Sequence, residues 1–398
     1  MSESSAATAR MQSTHSERLL ELHRRFGKPQ FYAVLLLLAL MGQCVWLASR
    51  TPVNVLELGF ISSGQAMQGH LEGESREFRS PLISWLATLP TQLPLQRDLD
   101  SAAWRVVLRL PFIFAGALLG ASLWYVSRRL YGNAGGYVAL TLYSFSAPLI
   151  LRWSAISADP VAAWGTFGCI FTGIAVAHTL YAPREVVLWN WRRILLLGVS
   201  IGLAAAAVFA TVLAVPVALA FMFYLVPHRR GAAVAILAAA CAVAAFVVLV
   251  AFGFNLSSLS AMLNTSSQLQ PTGAFAGQAV ASALVDGFLM RNGPSFLTLA
   301  AVCIGLFLGW RRTRFFGTTA PLLVFVAFTV LALTLVHQHV LTFLWIALPF
   351  LMVFMAGVCA DLLEGRSRWS GLISGLLLAT LCSHALFSLM GLWHYTHQ

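Results

Sequence analysis

The chain alternates long apolar runs with short polar breaks. Runs of about 20 residues, the length that crosses a bilayer, recur near 31–49, 108–127, 134–151, 161–181, 194–210, 212–227, 232–254, 294–310, 317–336, 340–360 and 369–391. The pattern predicts an all-α, polytopic integral membrane protein with about eleven transmembrane helices. The stretch 194–227 is the hardest to divide, being too long for one span and barely enough for two. A turn within 210–216 resolves it, because Arg192 and Arg193 flank one end and Arg229 and Arg230 the other. Residues 1–30 are polar and read as a tail. The run 31–48 has no small-residue cleavage site after it and reads as a retained first span, so 31–398 is expected to form a single transmembrane domain.

Two loops on one side are much longer than the rest, near 50–107 and 255–293. The first holds helical and apolar pieces, and 80–93 suits an interfacial or re-entrant segment. Loops longer than about 15 residues in a compact fold are usually functional or disordered, so the chemistry is expected on the long-loop face. No internal repeat gives the first long loop a counterpart in the second half, which counts against a secondary transporter.

Composition agrees: 59% of residues are hydrophobic and only 10% charged, against roughly 25% charged in a soluble domain. A net charge of +11 raises the thought of nucleic acid until its placement is examined. Taking alternate loops as opposite sides puts 17 lysines and arginines on one side and 8 on the other, which has the longer loops. The richer side is then cytoplasmic, with the N-terminus inside and the C-terminus outside. The charge is a topology signal with a weak attraction to anionic lipid, and nucleic acid is not an expected partner. The six cysteines all fall in apolar runs without a CxxC pair and read as small buried hydrophobes.

With only 14 carboxylates, each can be placed. Asp159, in Arg152-Trp-Ser-Ala-Ile-Ser-Ala-Asp159-Pro160, lies at the outer junction of the third and fourth spans. An acid near the bilayer is a functional candidate, and Asp before Pro is also a helix-capping signal. Glu57 heads a helical stretch over 58–71, where the helix dipole favours an acid. Glu72, Glu74 and Glu77 form a polar run with Arg76 and Arg79, most simply a solvated turn, although Glu77 stays a candidate. Asp98-Leu-Asp100 matches the short DxD of metal–nucleotide sites, yet an N-cap before Ala-Ala-Trp explains Asp100-Ser101 better. Arg79, Arg105, Arg109 and Arg152 stand near the outer edge, where they can hold a phosphate or snorkel to headgroups. His337-Gln-His339 is open to a metal, a lipid phosphate or a plain polar turn.

In this order the features resemble the GT-C superfamily of membrane glycosyltransferases, close to protein O-mannosyltransferases and lipid A aminoarabinose transferases. Glu57-Leu-Gly-Phe60-Ile-Ser-Ser-Gly64 is similar to the Asp-Glu-x-x-Tyr-x-x-x-Ala pattern past the first span. Phe78-Arg79-Ser80-Pro81-Leu82-Ile-Ser-Trp85 resembles Lys-Pro-Pro-Leu-x-x-Trp. Arg109-Leu-Pro111, Arg128-Arg129-Leu-Tyr131-Gly132 and the segment Ser146-Ala-Pro148 through Asp159-Pro160 resemble the second span, its inner end and the next outer turn. The chain departs from the pattern where the family's leading catalytic Asp is replaced by Leu56, and where Phe78 replaces a Glu, with Glu77 one place away. The Lys often found between spans five and six is missing, with Ala210-Thr211-Val212 in that region.

The resemblance implies transfer of sugar from a polyprenyl-phosphate carrier to an extracytoplasmic acceptor in a bacterial cytoplasmic membrane. It implies Glu57 and Asp159 as catalytic acids, and Arg79, Arg109, Arg152, His337 and His339 around the lipid phosphate. A divalent metal and partner membrane subunits stay open. The replaced Asp supports an alternative, a catalytically silent subunit of a membrane complex; a lipid or small-molecule transporter is the third reading.

Overall fold

The apolar runs fold as helices, because in a bilayer each backbone N–H and C=O must be satisfied within its own segment. The computed structural model describes residues 28–67, 80–92, 101–180, 191–254, 259, 290–310, 313–334, 340–364 and 370–397. In chain order the helices are α1 (Pro29–Arg50), α2 (Val55–Met67), α3 (Pro81–Thr88), α4 (Ala102–Ser144), α5 (Ala147–Trp153), α6 (Asp159–Thr179) and α7 (Trp191–Ala207). They continue as α8 (Ala214–Leu225), α9 (Arg230–Ala251), α10 (Met290–Gly309), α11 (Phe316–Thr334), α12 (Val340–Glu364) and α13 (Ser370–Tyr395).

Seven of these are long and apolar enough to cross a membrane, with shorter apolar helices over Phe209–Leu225 and Gly293–Gly309. The 43-residue α4 is two helices joined at Gly132, whose φ of +73° only glycine adopts easily. Tyr143 donates to the Gly116 carbonyl at 2.6 Å, and a Cβ on Gly136 would stand 3.3 Å from Trp124. The halves therefore run antiparallel, as the separate runs 108–127 and 134–151 predict. The apolar stretch over 194–227 also divides where expected. Val208 is extended, a 3-10 turn covers Phe209–Leu213, and α8 resumes at Ala214.

Burial sorts the helices into centre and rim. In α12, 94% of the apolar window is buried, against 11% in α13. Phe350 of α12 packs on Phe167 and Phe171 of α6 and on Phe328 of α11. Cys44, Cys169, Cys303 and Cys359 are buried, as expected of small hydrophobes, while Cys382 is exposed on α13. One end of the bundle carries Arg128, Arg129, Arg192, Arg193, Arg229, Arg230 and Arg314; the opposite end carries Arg50, Arg105, Arg109 and Arg152. At that arginine-poor end α2 and α3 lie together, so closely that a Cβ on Gly64 would meet the Ser84 carbonyl at 2.3 Å. The segment expected at the interface is in fact docked. Pro81, Leu82, Ile83 and Ala87 are buried, and Ser80 donates to the Ala206 carbonyl at the end of α7.

Candidate functional site

Two acid–arginine pairs occupy the arginine-poor end. The first begins with the turn after α1. Asn54 Oδ1 accepts from the Glu57 amide and Glu57 Oε2 accepts from the Asn54 amide, both at 2.9 Å. This reciprocal capping box starts α2. From α4, Arg109 forks onto the same carboxylate, Nε to Oε1 at 2.8 Å and Nη2 to Oε2 at 2.7 Å. Its remaining N–H groups donate to the carbonyls of Ala48, Thr51 and Pro52 and to Thr51 Oγ1. The Ile156 amide donates to Glu57 Oε1 at 2.9 Å.

Every acceptor direction of the carboxylate and all five donors of the guanidinium are used, and the side chains are only 1% and 2% exposed. A buried ion pair offsets its desolvation only with such complete satisfaction. Arg109, expected to touch phosphate or snorkel, has no donor left for either.

The second pair is looser. Asp159 opens α6 in its first turn, where the helix dipole favours an acid. It is not the cap that the Asp-Pro signal suggests; Ala158 precedes the helix and no side chain caps it. Asp159 Oδ1 instead accepts from Thr342 Oγ1 of α12 at 3.0 Å. Its Oδ2 lies 3.7 Å from Arg152 Nη1, which is ion-pair distance but too long for a good hydrogen bond. The Arg152 side chain is 40% exposed and sits 5.7 Å over the Trp345 ring. Trp345 is buried, and its Nε1 has no partner among the described residues. A half-open guanidinium beside an acid can receive an anion, leaving the acid free to accept a proton.

The pairs are mechanically joined. Ile156, held by Glu57, lies in the short turn between Arg152 and Asp159. An apolar cleft of about 510 Å³ opens beside the first pair, lined by Leu58, Gly59, Ile61, Ser62, Trp104 and Leu108 among others. Glu77, Arg79, His337 and His339, and the Asp98–Asp100 pair, lie outside the described residues; the N-cap expected before Ala-Ala-Trp is there, Ser101 accepting from the Trp104 amide. Among the described residues no three His, Cys, Asp or Glu side chains gather as metal ligands. Sequence reasoning missed Thr342 and Trp345, which are 183 and more residues from Asp159 and carry no local signal. It missed the capping box too, although Asn-x-x-Glu at a helix start is its signature.

No family model matches the chain, and no curated protein matches it. Solved structures do. The oligosaccharyltransferase of Archaeoglobus fulgidus in its apo form is similar at a TM-score of 0.61 and 12% identity, over 91% of this chain and 56% of that one. ArnT from Cupriavidus metallidurans bound to undecaprenyl phosphate is similar at a TM-score of 0.61 and 13% identity, over 93% of this chain and 76% of that one. The archaeal enzyme in complex with an inhibitory peptide and a dolichol-phosphate gives a TM-score of 0.55 at 10% identity. The chain thus spans about half the length of the archaeal enzyme, 56% of it. These likenesses are of fold, and the fold is GT-C-like, as the family resemblance implies.

Proposed function

We propose that this chain is a membrane glycosyltransferase that moves a sugar from a polyprenyl-phosphate carrier to an acceptor on the arginine-poor, extracytoplasmic side of a bacterial inner membrane. The observation that carries the reading is the half-open Arg152–Asp159–Thr342 cluster at one end of a GT-C-like bundle. Two of the similar structures hold a polyprenyl phosphate, undecaprenyl phosphate in one and dolichol-phosphate in the other.

In this scheme the acceptor forms its bond to the anomeric carbon of the sugar and passes its proton to the Asp159 carboxylate. The bond from that carbon to the phosphate oxygen breaks, and the leaving phosphate keeps the electron pair. Arg152 stabilises the charge that develops there, as a cation beside a leaving phosphate does. Arg79, His337 and His339 are proposed as further phosphate ligands, and Glu77 as a further acid. Glu57 is a positioning residue: its oxygens are fully engaged, and it fixes the turn that presents Asp159.

A second reading is favoured by one observation. Leu56 stands where the resembling family has its leading Asp, and its side chain points away from the core, 63% exposed. A silent subunit of a membrane complex would keep the Glu57–Arg109 strut and dispense with the acid. The experiment offers purified protein in lipid a panel of radiolabelled polyprenyl-phosphate sugars. Carrier-dependent transfer that disappears in Asp159→Asn supports the transferase. No turnover with any donor, from protein that co-purifies with a stable membrane partner, supports the silent subunit.

A further inference from the structure

The arginines at the arginine-rich end are not alike. Arg128 donates to Asn133 Oδ1, Arg129 to the Tyr125 hydroxyl, and Arg314 to the carbonyls of Phe307 and Leu308. Arg229 donates to the Leu180 carbonyl just past α6. Arg192, Arg193 and Arg230 are exposed, and among the described residues they have neither a hydrogen bond nor a carboxylate partner. Packing gathers these three. Ile194 of α7 packs on a separate apolar cluster that includes Leu180, Met222, Val226, Ala233 and Ile236. Arg192 and Arg193, just before Ile194, therefore share a patch with Arg230, which lies between Val226 and Ala233.

The surface that continues from the patch is apolar. Leu195 and Leu196, one turn along α7 from Arg192, are 44% and 56% exposed. Val234, one turn along α9 from Arg230, is 47% exposed. Trp191 and Tyr224 are exposed at the same end, and such rings sit at headgroup level. Arg192 lies 5.7 Å over the Trp191 ring.

We propose that Arg192, Arg193 and Arg230 bind the phosphate headgroup of an anionic phospholipid, whose acyl chains lie along Leu195, Leu196 and Val234. A topology signal needs only positive charge on this side; it does not need three guanidiniums gathered with their donors unspent. Guanidinium forks match phosphate oxygens, and basic patches between spans take such headgroups. A soluble phosphate would satisfy the arginines alone. A lipid satisfies them and also covers the apolar residues beside them.

The test titrates the purified full chain in detergent with cardiolipin and counts bound lipid by native mass spectrometry. Each arginine is expected to contribute about fivefold in affinity. Arg230→Gln should then weaken binding about fivefold, and Arg192→Gln, Arg193→Gln and Arg230→Gln together about 10²-fold. The matched triple Arg128→Gln, Arg129→Gln and Arg314→Gln removes the same charge and should bind as the wild type does. Arg230→Gln alone leaves Arg192 and Arg193 to set orientation, so it decides the matter if the triple fails to insert. Phosphatidylcholine of matched acyl chains should bind about tenfold more weakly or worse, and pyrophosphate should not displace cardiolipin. Equal losses in the two triples, undiminished binding in Arg230→Gln, equal binding of phosphatidylcholine, or displacement by pyrophosphate would overturn the proposal.

Discussion

The Glu57–Arg109 and Arg152–Asp159 pairs stand at the same end of the bundle, have the same charges, and behave as opposites. The first is closed: short distances, two side chains out of water, and no donor or acceptor unspent. The second is open: a 3.7 Å separation and an arginine 40% exposed. The difference teaches that an acid near the membrane is not by type a catalytic group. Its unused valence decides whether it can act on anything else. Glu57 and Asp159 look alike as candidates in the sequence, and only their partners separate them.

The contrast can be broken most severely at Arg109. Arg109→Ala leaves Glu57 buried without its counter-ion, and a loss of about 3–5 kcal/mol is expected, read as a large drop in unfolding temperature in detergent. Arg109→Lys should recover only part of it, because an ammonium cannot reproduce the fork. Asp159→Asn is the converse. Stability should move by less than about 1 kcal/mol, as for a partly exposed pair, while sugar transfer should fall by about 10²–10⁴-fold. Equal losses of stability in Arg109→Ala and Asp159→Asn would erase the distinction.

Glu57→Gln sharpens it further. The amide keeps the shape but loses charge-assisted bonds, at about 2 kcal/mol of stability, with transfer reduced in proportion to misplacement of the 154–158 turn. Transfer abolished outright, beyond what the loss of stability explains, would instead make Glu57 the proton acceptor. Thr342→Val should have the smallest effect, a few-fold loss of transfer from removing one hydrogen bond worth about 1 kcal/mol, measured as a change in kcat with little change in donor KM.

Much of the fold was legible because a bilayer admits so few solutions. Each of the eleven apolar runs has a helix in its place, and the turn after Ala207 falls where the flanking arginines require it. The break at Gly132 was legible as well, from Arg128, Arg129 and Asn133 between two apolar runs. The docking of α3 was not, because it depends on burial of its apolar face against α4 and α7. The site was legible only as a set of acids and cations. Arg109 was read as an outer-edge cation, because nothing near it in the sequence shows that Glu57 and three carbonyls from residues 48–52 await it. Thr342 joins Asp159 through packing of α12 against α6, a contact between elements remote in sequence.

The closed pair also fixes an order of events during synthesis. Glu57 leaves the ribosome 52 residues before Arg109 and 99 before Ile156. At roughly 5–20 residues per second, its guanidinium partner follows about 3–10 s later. Through that interval the start of α2 must stay in water, and the first span waits beside the translocation channel with its last carbonyls unclaimed. Only when the second span arrives can the acid move under cover, and only with the third does the Ile156 amide complete its shell. The first three spans consequently mature as one unit, and a chain ending before residue 109 leaves the Glu57 carboxylate without its guanidinium.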